Sequence, residues 1–283
     1  MNLKKKLCKP LVYIILFIIL FIIIFIYLLK YYPIIESYEN NLKYKLSVIG
    51  IFKNETMNLK IWIEHYLWQG VEHFYLIDND SDDNPDFILN PYIEKGLVTL
   101  YKLPEKYKQL EHYKTIWMRE NIPSQTKWLI MADLDEFWFS PNNKLINIID
   151  DYDFYDVIYS NWKMFGSDGN DKHPYDIRTN IVFRQPELSS NTKWICKPKN
   201  INLNNIFIHN IIHNKVKEIY INDKIQLNHY PIQSREFFEK VKLTRTDVAS
   251  QKSDNIRDWD YFKKYNENMI YEDTILKDMI MNI

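Results

Sequence analysis

The chain has 283 residues, 46% of them apolar and 26% charged, a globular balance that excludes an intrinsically disordered protein. Its formal charge of −1 hides an asymmetry: residues 1–30 carry five lysines and no acid, which leaves 31 basic and 37 acidic residues, a charge of −6, in the remainder. That mildly acidic remainder lacks the basic face of a general nucleic-acid binder and suits a divalent cation better.

Leu11 to Leu29 is an apolar run interrupted only by Tyr13 and Tyr27, and about 20 such residues let a helix cross a hydrocarbon core of about 30 Å. The run exceeds the roughly 7–15 apolar residues of a cleaved signal, and no small-residue cleavage site follows it. The alternatives are a cleaved signal or a buried core helix. Four lysines precede the run, so the positive-inside rule predicts type II, single-pass topology. Residues 1–10 are then a cytosolic tail, 11–30 a transmembrane signal anchor, and 31–45 a stem, with everything beyond lumenal or external. Cys8 is a candidate for palmitoylation. Cys196 is the one cysteine past the span, so an intrachain disulfide cannot form there.

From residue 46 to 283 the patterning indicates one compact domain, with a nucleotide-binding half over 46–140 and an acceptor-side half over 141–283. Leu46–Phe52 reads as a buried strand. Met57–Gln69 follows as a helix, with Leu59, Trp62, Ile63 and Tyr66 at helical spacing and Gly70 as its C-terminal cap. A strand at His73–Ile77, a helix at Asp86–Glu94, a strand at Leu97–Leu103, a helix at Lys108–Glu120 and a strand at Lys127–Ala132 continue the alternation. Strands alternating with helices predict βαβ units and a mostly parallel sheet, whose ligands bind beyond the carboxyl ends of the strands. Lys53-Asn54-Glu55, Asp78 and Asp133/Asp135 each follow a strand, so they are expected on one sheet edge. Past residue 150 shorter strands are expected at Val157–Trp162, Ile181–Arg184, Ile206–His209 and Ile225–His229, with helices at Ser234–Thr244 and Tyr261–Glu267.

The segment Met131-Ala132-Asp133-Leu134-Asp135-Glu136-Phe137-Trp138 places two carboxylates one residue apart at a strand end. If the chain turns there, both can face one cleft, and hard oxygen ligands suit Mn²⁺ or Mg²⁺ bridging a diphosphate. A nucleotide-sugar donor needs such help, because its diphosphate leaving group gains negative charge as the glycosidic bond breaks. Lys197, Lys240 and Arg245 are further candidates for contact with the diphosphate or acceptor, and Trp162 for stacking on a sugar ring. Asn54-Glu55-Thr56 and Asn79-Asp80-Ser81 are glycosylation sequons; both lie among these site residues and are expected to stay unmodified.

Several segments, in order along nearly the whole soluble part, resemble glycosyltransferase family 92 and the related family-2-like enzymes. They are Phe52-Lys53-Asn54-Glu55, Trp62-Ile63-Glu64-His65-Tyr66, Gly70-Val71-Glu72-His73-Phe74, the loop Asp78–Asp83, Lys127–Phe137, Asn161–Ser167, Asn228-His229-Tyr230 and Ser234–Lys240. The resemblance implies an α/β, GT-A-type, Rossmann-like mixed sheet and a metal-dependent, inverting transfer from a UDP-sugar, with UDP-galactose favoured, to a glycan or glycoprotein acceptor. By it, Lys53, Asn54, Glu55, Asp78 and Asp133 bind the donor, and Asp133, Asp135 and His229 hold the metal. Trp162, Gly166 and Ser167 meet the acceptor or donor sugar. Inversion requires a carboxylate to deprotonate the acceptor hydroxyl; Asp168 is the candidate base, with Glu136 and Asp171 as rivals, and a plain turn role for Asp168 is the alternative. Two other readings stay open: an anchored carbohydrate-binding or inactive transferase-like domain, and a dehalogenase-like phosphatase. The latter expects Thr or Val where Phe137 stands.

Overall fold

The computed structural model describes residues 4–39, 42–212, 215–244 and 257–282. The chain divides into two units, Met1–Lys43 and Tyr44–Ile283. The first carries one helix, α1 (Lys4–Glu39), which runs through most of the segment read as a stem. Its stretch Val12–Tyr31 has a mean hydropathy of 3.4, long and apolar enough to cross a membrane.

In the second unit the alternation read from the sequence becomes β1 (Tyr44–Phe52), α2 (Thr56–Trp68), β2 (His73–Asp78), α3 (Asp86–Glu94), β3 (Val98–Lys102), α4 (Gln109–Arg119) and β4 (Thr126–Met131). The four strands pair in parallel in the order β3-β2-β1-β4. Period-two alternation splits their side chains between two cores. Val48, Phe52, Phe74, Leu76 and Ile130 pack on one face with Leu59, Trp62 and Tyr66 of α2. Ile49, Ile51, Tyr75, Ile77, Leu129 and Met131 pack on the other with Tyr113, Ile116 and Trp117 of α4. Both faces are covered, which is why these strands read as near-continuous apolar runs.

Beyond β4 the sheet becomes mixed. The elements are β5 (Glu136–Phe139), α5 (Leu145–Ile148), β6 (Val157–Met164), α6 (Ile177–Asn180), β7 (Phe183–Arg184), β8 (Thr192–Cys196), β9 (Glu218–Tyr220) and β10 (Gln226–His229). Strand β8 runs antiparallel to both β4 and β6, and β10 lies between β6 and β5. The described residues form a nine-stranded sheet of order β3-β2-β1-β4-β8-β6-β10-β5, with β9 on β6. Then follow α7 (Arg235–Phe237), a π-helical turn (Phe238–Lys242), α8 (Trp259–Lys264), β11 (Tyr271–Glu272) and α9 (Ile275–Met281).

Three expectations change. The strand expected at Ile206–His209 is only a bridge between Ile206 and Ile211. The strand expected from Ile181 shrinks to Phe183–Arg184, because Asp176 caps a helical turn just before it, accepting from Arg178 N at 2.9 Å. The helix expected over Ser234–Thr244 is a short α-turn that widens into the π-turn.

Candidate active site

The carboxyl ends of β1, β2 and β4 lie at one edge, with Phe52 beside Asp78 and Ile49 beside Met131. Two loops there are laced together. Asn54 N donates to Ser81 Oγ at 2.9 Å and Asp82 N to Asn54 Oδ1 at 2.8 Å, while Lys53 pairs with Asp80 at 3.1 Å. Asn54, Asp80 and Asn84 take left-handed backbone conformations (φ 55°, 68° and 60°), which Asn and Asp tolerate best among residues with a Cβ. Buried Asp78 accepts from Ser81 N at 2.9 Å, and Glu55 is buried in the same loop. Asn79 is buried too, and its Nδ2 donates to the carbonyls of Leu103 (2.6 Å) and Glu105 (3.1 Å).

The Asp-Leu-Asp segment is the turn from β4 into β5, closed by Glu136 N donating to Asp133 O at 3.0 Å. Helix α2 holds that turn. Trp62 Nε1 donates to the carbonyls of Asp133 (3.0 Å) and Glu136 (3.1 Å), Tyr66 OH donates to Glu136 O (3.1 Å), and His65 Nε2 meets Trp138 O at 2.8 Å. These aromatic groups satisfy backbone polar atoms that burial would otherwise leave without partners. Burial and Arg178 hold the His65 imidazole well below its ordinary pKa, so it stays neutral.

Each aspartate carries a buried lysine. Asp133 accepts from Lys193 Nζ at 2.7 Å, and from Gln109 (3.2 Å) and Tyr113 (3.4 Å) of α4. Asp135 accepts from Lys242 Nζ at 2.7 Å and lies 3.5 Å from His229 Nε2. Burial alone would raise the Asp135 pKa, but Lys242 and His229 outweigh it and hold the carboxyl well below the usual range. Glu136 goes the other way: burial, with the neighbouring Asp133 and Asp135 charges, pushes it well up against the pull of Lys193. One Glu136 oxygen accepts from Asp133 N at 3.0 Å, while the other is buried without a hydrogen-bond partner.

Strand pairing brings in the late histidine: β10 places His229 directly opposite Glu136 on β5 and Met164 on β6. Asp135, Glu136 and His229 offer ligand atoms all within 4.8 Å of one another, two carboxylates and an imidazole that could hold a divalent cation. The structure brings Asp135 and His229 together, with Glu136 beside them. Asp133 sits outside that group, held by Lys193. Trp162 is 9% exposed and packs 4.2 Å from the His229 ring.

The loop after β6 is closed over. A Cβ on Gly166 would lie 2.8 Å from Met269 Cγ, and Ser167 donates from both N and Oγ to Asn266 at 2.9 Å. Any larger residue at 166 would have to displace the Met269 and Asn266 side chains of this chain's own 266–269 segment. Asp168 (φ 48°) accepts from Val182 N at 2.6 Å and from Phe183 N at 3.1 Å. Burial raises its pKa against those two amide bonds.

The basic candidates are rearranged. Lys197 pairs with Asp153 and lies over Trp128, and Lys240 pairs with Glu236 at the surface. Arg245 lies outside the described residues. Lys193 and Lys242, which sequence reasoning missed, reach the aspartates instead. Lys193 had one legible signal, its place directly before the apolar run Trp194-Ile195-Cys196. Lys242 had none: its inward aim depends on the π-turn, in which Leu243 N donates to Phe238 O at 2.9 Å.

The family model for glycosyltransferase family 92 matches residues 44–273, almost all of the second unit. The chain belongs to glycosyltransferase family 92. A member from Ricinus communis is 29% identical over 113 residues, 38% of this chain and 19% of that protein. One from Oryza sativa subsp. japonica is 24% identical over 204 residues, 69% of this chain and 35% of that protein. The chain therefore spans only about a fifth to a third of the length of these two relatives. Among solved structures, S. aureus TarS 1-349 in complex with UDP aligns with a TM-score of 0.42 and 14% identity, covering 66% of this chain and 60% of that one. That likeness is too slight to bear on the chemistry. Family 92 membership and the mixed sheet make the fold GT-A-type, and they leave no place for the dehalogenase-like phosphatase.

Proposed function

We propose that this chain is a metal-dependent glycosyltransferase that moves a sugar from a UDP-sugar to a glycan or glycoprotein acceptor with inversion, UDP-galactose being the favoured donor. The observation that carries the reading is the ligand set of Asp135, Glu136 and His229, within 4.8 Å at the carboxyl end of the strands in a family 92 chain. Those three residues would hold Mn²⁺ or Mg²⁺, which supplies positive charge to the diphosphate as it leaves. Lys53, Asn54, Glu55, Asp78 and Asp133 form the donor side, and the lacing of residues 53–56 to 80–83 preorganises it. Trp162 is the sugar-stacking candidate. Gly166 and Ser167 reach an acceptor only if the segment at 266–269 moves aside.

In the transfer an acceptor hydroxyl oxygen bonds to the anomeric carbon, its proton passes to a carboxylate, and the bond to the diphosphate breaks to release UDP. Asp168 is the base in this reading, its burial-raised pKa favouring proton capture. It must first give up its amide partners at residues 182 and 183. Glu136 and Asp171 are the rivals. Helix α1 anchors the protein with its N-terminus cytosolic and the second unit lumenal or external.

UDP release should be measured across a panel of UDP-sugars with and without Mn²⁺, for wild type and Asp135→Asn. Release that needs Mn²⁺ and Asp135 supports the reading. Absence of metal-dependent UDP-sugar binding by the wild type would falsify it and favour the inactive-domain alternative.

A further inference from the structure

The lysine on Asp135 bears on how the metal enters. Lys242 is buried, its side chain 4% exposed, with Nζ 2.7 Å from Asp135 Oδ2 and 5.5 Å from the Phe237 ring centroid. Asp133 is paired in the same way with Lys193 at 2.7 Å. Lys242 cancels the charge of Asp135, and Lys193 is shared between Asp133 and Glu136 (3.5 Å), so the carboxylates draw a dication less strongly than they would without these lysines. A dication on Asp135 would also sit beside a buried ammonium and be repelled by it, with little water to screen the charges. A nucleoside diphosphate removes both obstacles. It brings negative charge, and it gives Lys242 acceptor oxygens in place of the carboxylate.

We infer that Lys242 makes divalent-cation binding conditional on a nucleoside diphosphate: it occupies Asp135 as an internal counter-ion in the free protein and passes to the diphosphate when the cation arrives. This rests on the glycosyltransferase reading above and adds to it an order of assembly. The cation and the nucleotide bind as a coupled pair, and the site does not load with metal beforehand. Lys242 acts here as a positioning residue. No bond to carbon is made or broken in the exchange, and every proton stays where it is.

The test is Mn²⁺ binding by equilibrium dialysis of the full chain across a membrane that passes free Mn²⁺ and Mn²⁺–UDP. In the wild type, UDP should tighten Mn²⁺ binding by about tenfold or more, within the range usual for coupled sites, and Mn²⁺ should tighten UDP binding by the same factor. Uridine, which lacks the diphosphate, should give no such gain. Lys242→Gln removes the charge and keeps a donor for Asp135; it should bind Mn²⁺ without nucleotide about tenfold more tightly than the wild type and lose most of the UDP effect. Lys242→Arg keeps the charge and should behave as the wild type. Wild-type Mn²⁺ binding that is equally tight with and without UDP overturns the inference, and this arm needs no variant to fold. Equal nucleotide-free affinity in wild type and Lys242→Gln also overturns it. A wild type that binds Mn²⁺ under neither condition sinks the metal-dependent reading itself, and the inference with it.

Discussion

Replacing Asp135 by alanine tests the site's electrostatics apart from catalysis. The Asp135 and Lys242 side chains are 10% and 4% exposed and 2.7 Å apart. Removing the carboxylate leaves the Lys242 ammonium buried without its counter-ion, and breaking such a pair from one side costs about 3–5 kcal/mol. In a domain of this size each kcal/mol moves Tm by about 2–4 °C, so Asp135→Ala should melt about 6–20 °C below the wild type. The double variant Asp135→Ala/Lys242→Met removes both charges and should recover most of that loss, since a buried ion pair replaced as a pair is often energetically neutral. Asp135→Asn, which retains an acceptor for the lysine, should fall between them. Thermal unfolding of the full chain without metal, followed by circular dichroism, reads all four proteins. If Asp135→Ala melts within about 2 °C of the wild type, or the double variant melts no higher than the single, the pair does not carry the assigned energy.

Other predictions reach away from the metal ligands. Burial holds the His173 imidazole down to about 4, with its ring nitrogens 3.0 Å from Asn58 Oδ1 and 3.2 Å from Ser234 Oγ. Above its ordinary pKa of about 6.5 the ring is neutral in both states. Below that, the unfolded chain takes up a proton that the folded ring refuses, so stability falls between pH 6.5 and about 4 and then levels. Tm against pH should show that fall in the wild type and a flatter curve in His173→Gln. Gly70 caps α2 at φ 91°, where a Cβ would collide with Ile146 Cγ2; Gly70→Ala should cost about 2–4 kcal/mol in denaturant unfolding, and a negligible change would mean that the loop yields freely. Asp168→Asn leaves one acceptor oxygen for the two amides at 182 and 183, so it should cost about 1–3 kcal/mol. It should also slow turnover while UDP binding persists; an unchanged rate would move the base to Glu136 or Asp171.

Much of the first half is legible in the sequence alone. The α3 helix was expected at Asp86–Glu94 and forms there, and β1, β2 and β4 were located to within two residues. These elements declare themselves locally, through apolar runs, helical spacing and Asn- or Asp-rich loops. The second half was less legible, because its strands are short and stabilised by distant partners. Strand β8, hidden between Ser189-Ser190-Asn191 and Lys197-Pro198, is a strand because β4 and β6 flank it. Residues 206–209 carry a similar apolar pattern but find no ladder, and they remain a bridge.

The sequence by itself determined that a helix able to span a membrane precedes an α/β unit, and that Asp133 and Asp135 stand at a strand end on the same edge as Lys53–Glu55 and Asp78. Strand direction and period decide those placements, and both are local properties. Only the tertiary structure decided what each carboxylate meets. Lys193 reaches Asp133 across 60 residues of chain and Lys242 reaches Asp135 across 107, while His229 arrives opposite Glu136 through the pairing of β10 with β5. The partner of a buried charge is set by packing between distant segments, and no spacing along the chain records it.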